Sequence, residues 1–224
     1  MMVTSTWFKS VRRLYYITHI DNLGSILDRG ILSHELIDQQ GLPFTPIYDK
    51  LIVSRRKGIK TPDGKSLWSF SNLYFNARNP MLYRVCRETN VENIVILEIS
   101  PSILESRNIL VTDGNAASEE TSFLSPTKTH LSKIFKQTQM EYWNPYDGSK
   151  RRMMAECLVP DSVPPDFIMS IFVPSYDAVD RVKERIKPSK LGNRSVMCDP
   201  YTFFEPSKVI TLLPHLLIKE GDMF

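Results

Sequence analysis

The sequence predicts a single α+β domain, and three observations support this class. The chain of 224 residues is 42% hydrophobic and 24% charged, which is the composition of an ordinary soluble globular protein with a sizeable core. Runs of β-branched and aromatic residues alternate with short stretches whose apolar residues recur at helical spacing. The sequence contains no internal repeat and no linker-like segment, so we expect residues 1–224 to form one domain.

Strands are predicted where β-branched and aromatic residues cluster between turn residues. In chain order the strands are expected at residues 14–18, 67–75, 94–99, 109–112, 158–159 and 168–173, with edge strands at 196–197 and 201–204. The aromatic run at 67–75 and the aliphatic run at 94–99 carry the strongest strand signals. Pro160 is expected to end the strand at 158–159, because proline has no backbone donor for the ladder.

Helices are predicted between these strands. Asp21 or Asn22 can cap a helix over residues 23–29, and Gly30 suits its C-terminal end. Further helices are expected at residues 48–56, 81–86 and 177–186. The tail at residues 209–217 is apolar enough to pack back on the domain.

Charge and cysteine content limit the possible function classes. The net charge of +3 is too small to indicate a nucleic-acid binder, although Lys and Arg cluster at residues 12–13, 55–57 and 150–152. Each cluster fits either a solvated face or an anion site. Three cysteines without CxxC spacing disfavour a disulfide framework and a structural zinc site. The sequence has no signal-peptide pattern and no run near the ~18 apolar residues of a membrane span, so we expect a cytoplasmic protein.

The common catalytic motifs GxGxxG, GxxxxGK[ST], GxSxG and HExxH are missing from the sequence. The four histidines show no metal-ligand spacing, so no metal is expected. Thr18 and His19 end a predicted strand beside a helix N-terminus, where free backbone N–H groups suit a phosphate or a small molecule. A hydrogen-bonded structural histidine is the alternative for His19.

Glu156 lies between the cations at residues 150–152 and the apolar residues 157–159, where a predicted strand enters the core. On these residues alone, a salt-bridged or solvated glutamate is favoured over a catalytic one. Residues 114–150, which precede Glu156, are polar and predicted to form a loop. A loop of this length is uncommon in a compact domain unless it is functional.

Several segments, in one order and at compatible spacings, together resemble a single family. They are residues 15–23 (YYITHIDNL), 55–56 (RR), 73–83 (LYFNARNPMLY), 112–117 (TDGNAA), 142–143 (YW) and 155–159 (AECLV). The set resembles the DarT toxins of DarTG toxin–antitoxin systems over about residues 14–175. The NPMLY and AExLV pieces are its most specific parts.

The resemblance implies an enzyme that transfers ADP-ribose from NAD to a base in single-stranded DNA and releases nicotinamide. It implies the ADP-ribosyltransferase fold, with two small antiparallel sheets that form a split NAD cleft between flanking helices. It also implies a macrodomain-containing antitoxin of the DarG type as partner.

The resemblance assigns roles only to positions that match the family's segments. Glu156 and Arg56 match its catalytic residues. The positions that match its NAD site are Tyr16, Thr18, His19, Asn22, Tyr74 and Met81. Residues 114–150 match its substrate loop. For contact with single-stranded DNA, the aromatic and basic candidates are Tyr142, Trp143, Lys150, Arg151 and Arg152. Loop anchoring and a solvated charge run are the alternatives for these five.

Cleavage of the nicotinamide–ribose bond develops positive charge at the anomeric carbon and the ring oxygen. A carboxylate that holds the ribose 2′-OH strengthens its interaction as this charge grows, which is the role expected for Glu156. Arg56 can hold a diphosphate bidentately or polarise the acceptor base, and the sequence leaves both roles open.

Three departures from the family pattern lie around the predicted pockets. Tyr16 stands where many DarT proteins have a histidine, residues 70–75 read FSNLYF instead of YVPFYF, and Asn79 replaces the usual serine before Pro80. They leave the modified base open between thymine, guanine and others. An acceptor in RNA or protein is one alternative function, and a catalytically silent nucleic-acid-binding module is another.

Overall fold

Ten strands and six α-helices are formed by the residues that the computed structural model describes, which are 7–47, 54–187, 190 and 192–205. The strands are β1 Leu14–His19, β2 Ile31–Leu32, β3 Phe70–Tyr74, β4 Ile94–Ile99, β5 Leu110–Thr112, β6 Phe123–Leu124, β7 Glu156–Pro160, β8 Ser162–Val163, β9 Ile168–Val173 and β10 Ser195–Cys198. The helices are α1 Leu23–Arg29, α2 His34–Gln40, α3 Pro80–Glu88, α4 Lys128–Thr138, α5 Ser149–Arg152 and α6 Tyr176–Arg185.

Eight of the strands form one sheet in the order β10-β9-β4-β1-β3-β7-β5-β6, and β2 pairs with β8. The expectation of two small antiparallel sheets is therefore wrong, and β10 moreover pairs parallel with β9. The sheet is continuous because Tyr15 of β1 pairs with Tyr74 of β3. This joint is narrow, because it has one register pair, whereas β1 pairs with β4 along all six of its residues. The two halves of the sheet thus meet at β1 and β3.

Alternate residues of β4 build the core on the two faces of the sheet. All six residues of this strand are buried, as its aliphatic run predicted. On one face, Leu97 belongs to an apolar cluster that includes residues of α1 and α6. On the other face, Ile96 packs in a cluster with Leu82 and Val85 of α3. Helix α3 is thereby fixed against the face of the sheet opposite to α1 and α6.

Three sequence-based assignments of secondary structure differ from the structure. Residues 67–69 form a 3-10 helix rather than a strand, because the Ser66 hydroxyl accepts a hydrogen bond from the Trp68 N–H and caps the turn. Residues 201–204 form a turn. Residues 114–150 are not a plain loop, since they contain β6 and the eleven-residue helix α4. The predicted helix at 48–56 lies largely outside the described residues, and the tail at 209–217 lies wholly outside them.

Within the described part of the chain, no helix combines the length and apolar character that a membrane crossing requires.

Candidate active site

The carboxylate of Glu156, at the start of β7, is fully buried and accepts three hydrogen bonds. Arg56 donates two of them, from Nη1 to Oε1 at 3.2 Å and from Nη2 to Oε2 at 2.7 Å. The backbone N–H of Ala116 donates the third, to Oε1 at 2.9 Å. Charged and hydrogen-bonded partners offset the cost of burying a carboxylate. The structure therefore pairs the two residues for which the resemblance implies catalytic roles.

Neighbouring strands fix the backbone of Glu156. Tyr74 of β3 is its register partner on one side. On the other side, the Glu156 N–H donates to the Thr112 hydroxyl at 2.9 Å, and this hydroxyl donates to the Gly114 carbonyl at 2.6 Å. The Thr112 hydroxyl thus binds both the start of β7 and the loop after β5, and it helps to hold Ala116 close to Glu156.

Arg151 supports the same loop from the outside. Its Nη1 donates to Asp113 Oδ1 at 3.2 Å and to the Thr121 hydroxyl at 3.0 Å. Its carbonyl accepts from the N–H of Asn115 at 3.0 Å. The side chain packs so closely on Gly114 that a Cβ atom there would lie 2.4 Å from Nη1. Arg151 is thus committed to the loop that carries the Ala116 donor.

Arg56 reaches Glu156 from the 3-10 helix Arg55–Gly58. Its side chain is only 14% exposed, whereas the neighbouring Arg55 is exposed. Of the two adjacent arginines in the sequence, the structure therefore directs the second one to the buried carboxylate.

A cavity of about 590 Å³ is lined by Arg56, while Glu156 lies behind Arg56 and is not among the lining residues. The volume is within the usual range for small-molecule sites. Among the residues singled out from sequence, those that line the cavity are Tyr16, Arg56, Tyr74, Met81, Trp143 and Lys150. Asn115 and Ala117, from the expected substrate loop, also line it. The cavity lies where β1 and β3 meet, at the narrow joint of the sheet.

A smaller cavity of about 40 Å³ is lined by Thr18 and Asn22 and shares Tyr16 with the large one. The amide of Asn22 is bound to the backbone of Thr45, donating to its carbonyl and accepting from its N–H, each at 2.8 Å. It also donates to the Thr18 hydroxyl at 3.0 Å. Asn22 therefore holds residues 42–47 against the end of β1.

His19 lines neither cavity. Its Nδ1 accepts a hydrogen bond from the N–H of Asp21 at 3.2 Å and so caps the 3-10 helix Ile20–Asn22. The side chain positions the turn that carries Asn22, which is the structural alternative considered for it from sequence.

Burial shifts the pKa of three side chains that line the large cavity. It raises the pKa of Tyr16 to about 12. Burial and, secondarily, the charge of Glu156 raise the pKa of Tyr74. Burial and then the nearby Arg56 charge lower the pKa of His34 to about 4. At neutral pH the cavity therefore presents two protonated tyrosines and a neutral imidazole as hydrogen-bonding groups.

The five candidates for DNA contact separate into groups. Trp143 and Lys150 line the cavity. Tyr142 beside them is 73% exposed. Arg151 is bound to the loop as described, and Arg152 Nη1 donates to the Asp147 carbonyl at 3.1 Å.

Sequence reasoning did not single out several residues that line the large cavity, which are His34, Asn72, Tyr83, Arg84, Arg87 and Asn115. Tyr83, Arg84 and Arg87 share the outer face of α3. Arg87 follows the other two by three and four residues, a spacing that places side chains on one face of a helix and could have been recognised in the sequence. Within the described residues, no group of three or more His, Cys, Asp or Glu side chains is placed to hold a metal ion.

Comparison with known proteins gives the family. The family model described as "ssDNA thymidine ADP-ribosyltransferase, DarT" matches residues 15–204. A DNA ADP-ribosyl transferase–DNA ADP-ribosyl glycohydrolase fusion protein of Thermosipho africanus is 43% identical over 219 residues, which are 97% of this chain and 56% of that protein. The chain thus spans about half the length of this relative.

Solved structures show the same fold. The structure of Thermosipho africanus DarTG in complex with ADP-ribose matches with a TM-score of 0.80 and 43% identity, covering 86% of this chain and 51% of that chain. Thermus sp. 2.9 DarT in complex with ADP-ribosylated ssDNA matches with a TM-score of 0.72 and 24% identity, covering 86% of this chain and 96% of the Thermus chain. The same Thermus protein in complex with carba-NAD+ matches with a TM-score of 0.69, again at 24% identity, covering 86% and 97%. By the family match and the identity to the Thermosipho protein, the chain belongs to the DarT family of ADP-ribosyltransferases.

Proposed function

We propose that this protein transfers ADP-ribose from NAD to thymidine in single-stranded DNA and releases nicotinamide. The observation that carries the proposal is the buried Arg56–Glu156 pair beside a cavity of about 590 Å³. Family membership supports the reaction class, and the family's description supports thymidine as the acceptor. The Thermosipho relative was solved with ADP-ribose, and the Thermus relative with ADP-ribosylated ssDNA.

In this proposal Glu156 holds the 2′-OH of the ribose next to nicotinamide. A carboxylate has about four acceptor sites, and three of those on Glu156 are filled by Arg56 and Ala116. Oε2 accepts one bond among the described residues, which leaves it an acceptor site for the ribose hydroxyl. As positive charge develops on the ribose, the attraction to this carboxylate grows and lowers the barrier.

Arg56 orients the carboxylate, because its guanidinium donates to both oxygens. Its own position at the edge of the cavity also allows contact with the acceptor base. The planar fork makes lysine a poor replacement, since an ammonium group cannot bind both oxygens in parallel.

The two cavities, which share Tyr16 in their linings, offer groups that suit a dinucleotide. The large one offers the protonated hydroxyls of Tyr16 and Tyr74 and the apolar side chain of Met81. The small one offers Thr18. Asn22 contributes by holding Thr45 in place, and His19 contributes by capping the turn that carries Asn22.

Trp143 and Lys150 are proposed to contact the DNA, with Tyr142 as a further aromatic contact. Single-stranded DNA suits this site because a paired base hides its edge, and extruding it costs a few kcal/mol. Arg151 is assigned to the loop rather than to DNA because its guanidinium already binds Asp113 and Thr121.

We further propose that the protein acts as a toxin opposed by a macrodomain-type antitoxin. The Thermosipho relative carries a DNA ADP-ribosyl glycohydrolase in the same polypeptide as its transferase. A hydrolase that removes ADP-ribose from DNA is the activity that would reverse the proposed reaction.

The test is incubation with NAD and three acceptors: single-stranded DNA with thymidine, the same DNA without thymidine, and RNA. Mass spectrometry of the digested products identifies the base and the linkage together. We expect ADP-ribosyl-thymidine in the first sample alone, and roughly 10²–10³-fold less of it, or still less, with Glu156→Gln. ADP-ribose found on another base, on RNA or on added protein would show that thymidine in DNA is not the acceptor. Binding of the oligonucleotide without release of nicotinamide would indicate a catalytically silent binding module.

A further inference from the structure

Helix α3 presents a polar and aromatic face to the mouth of the large cavity. Its inner residues Leu82 and Val85 are buried against the sheet. Its outer residues Tyr83, Arg84 and Arg87 line the cavity. The Asn79 side chain caps the helix by accepting the N–H of Leu82 at 3.0 Å, and Pro80 occupies the first turn. The outer face is therefore held on a rigid element.

Tyr83 links this face to Trp143 of the substrate loop. The two rings make an edge-to-face contact with centroids 5.5 Å apart and an interplanar angle of 75°. Tyr83 makes a second contact of this kind with Phe204, at 5.1 Å and 82°. The Tyr83 side chain is nonetheless 36% exposed. Two aromatic side chains thus stand side by side at the mouth, each with part of its surface open to a ligand.

The charge of the mouth is positive. Among the described residues, the cations that line the cavity are Arg56, Arg84, Arg87 and Lys150, and the one lining carboxylate is Glu88. Arg56 pairs with Glu156, and Arg84 pairs with Glu88 at 2.7 Å. Among the described residues neither Arg87 nor Lys150 forms an ion pair, and Arg87 instead donates to the Tyr83 hydroxyl at 3.1 Å. Arg87 also lies over the Tyr83 ring, 5.2 Å from its centroid, so the mouth has two cations that no described carboxylate neutralises.

We propose that the acceptor strand runs along the outer face of α3, with bases stacked on Tyr83 and Trp143 and phosphates bound by Arg87 and Lys150. Alternating aromatic and cationic side chains are the combination that single-stranded nucleic acid requires, since bases stack and the backbone is anionic. The proposal rests on the proposed function for the identity of the strand. It adds Tyr83 and Arg87 as binding residues and places α3 opposite the loop that carries Trp143.

The experiment measures binding of a fluorescent, thymidine-containing single-stranded oligonucleotide by polarisation at several salt concentrations, without NAD. We expect Tyr83→Ala to weaken binding by roughly tenfold to a hundredfold and Tyr83→Phe to leave it nearly unchanged. We expect Arg87→Gln to weaken binding and to reduce the slope of log K against log salt by about 0.7. The matched control is Arg107→Gln, because Arg107 is exposed and lines neither cavity.

The position of the strand along α3 is tested by shortening the oligonucleotide one nucleotide at a time from each end. The penalty of Tyr83→Ala should disappear when the nucleotide that stacks on it is removed. Binding of both variants as tight as wild type would overturn the proposal, and so would Arg87→Gln weakening the affinity for NAD instead of that for DNA. If wild type binds DNA through these residues but transfers no ADP-ribose, the path along α3 stands and the proposed function fails.

Discussion

Arg56 holds the buried carboxylate of Glu156 through two parallel hydrogen bonds of 3.2 and 2.7 Å. The residues are 100 positions apart in the chain, so the pair ties the 3-10 helix Arg55–Gly58 to the start of β7. A buried carboxylate that loses its donors is strongly destabilising. The pair therefore contributes to the fold as well as to the proposed chemistry, and stability and activity have to be measured separately.

Glu156→Gln separates the two contributions. The amide keeps the shape of the side chain and can still accept the Ala116 N–H, but its NH2 group cannot accept from Arg56. We expect transfer to fall by roughly 10²–10³-fold or more, as when a charge-stabilising group is lost from an active site. We expect the unfolding free energy to fall by about 1–3 kcal/mol, for one unsatisfied buried group. Single-turnover transfer and urea unfolding measure the two.

The matched control is Glu98→Gln. Glu98 is also buried in the sheet, on β4, but its partner is Arg13, at 2.9 Å, and Arg13 does not line the large cavity. We expect it to lose stability and to retain the transfer rate. Equal losses of rate in the two variants would show that the effect at Glu156 is structural.

Gly114→Ala tests how the loop positions the Ala116 donor. The new methyl would lie 2.4 Å from Nη1 of Arg151 and 3.0 Å from its Cγ, so the loop and Arg151 cannot both keep their places. We expect the Ala116 N–H to move off Glu156, with kcat reduced by about tenfold, equivalent to one net hydrogen bond, and KM for NAD little changed. Steady-state kinetics with varied NAD measure kcat and KM separately.

Gly24→Ala is the control for the change of residue type. Gly24 lies inside α1, and a Cβ there would meet only Ile186 at the ordinary distance of 3.8 Å. Alanine is favoured over glycine within a helix by up to about 1 kcal/mol, so this variant should be as stable as wild type or more so. A rate loss in Gly24→Ala would mean that glycine replacement acts on the enzyme generally.

The elements that sequence predicted well are those whose signals are local. The aliphatic run of β4 forms a strand with the expected bounds, and Gly30 ends α1 as expected. Helix α4 was missed although its signals were present, since Leu131 and Ile134 recur at helical spacing after the capping residue Thr127. The polar composition of residues 114–150 outweighed this pattern.

What sequence could not give depends on contacts between distant segments. The continuity of the sheet rests on the single register pair of Tyr15 and Tyr74, which no local pattern specifies. The charge run at residues 150–152 reads as one feature, but successive residues of a helix point in different directions. Lys150 consequently lines the cavity while Arg151 binds Asp113.

Asn22→Ala releases the segment that covers the small cavity. The variant loses the two 2.8 Å hydrogen bonds to Thr45 and the 3.0 Å bond to Thr18, while the buried core stays intact. Each such bond is worth about 1 kcal/mol, so we expect KM for NAD to rise by roughly tenfold or more with a smaller change in kcat. The control Asn90→Ala removes the cap of a 3-10 helix that lines neither cavity and should leave KM unchanged.

His34 gives the protein a defined pH dependence of stability. Its ring stacks on Trp68 with centroids 4.4 Å apart, and burial together with the Arg56 charge lowers its pKa to about 4 against the opposing effect of Asp38. The unfolded chain binds a proton at this histidine below pH ~6.5 and the folded chain does so only near pH 4. Stability from this residue is therefore full above pH ~6.5 and declines as the pH falls towards 4, by up to about 3 kcal/mol.

The measurement is the unfolding free energy of wild type and of His34→Phe between pH 4 and pH 7.5. Phenylalanine keeps the stack on Trp68 and cannot take up a proton, so the difference between the two proteins isolates this residue from the carboxylates that titrate over the same range. We expect the difference to shift in favour of the variant as the pH falls. A difference that stays constant across the range would mean that the imidazole is as easily protonated in the folded protein as in the unfolded chain.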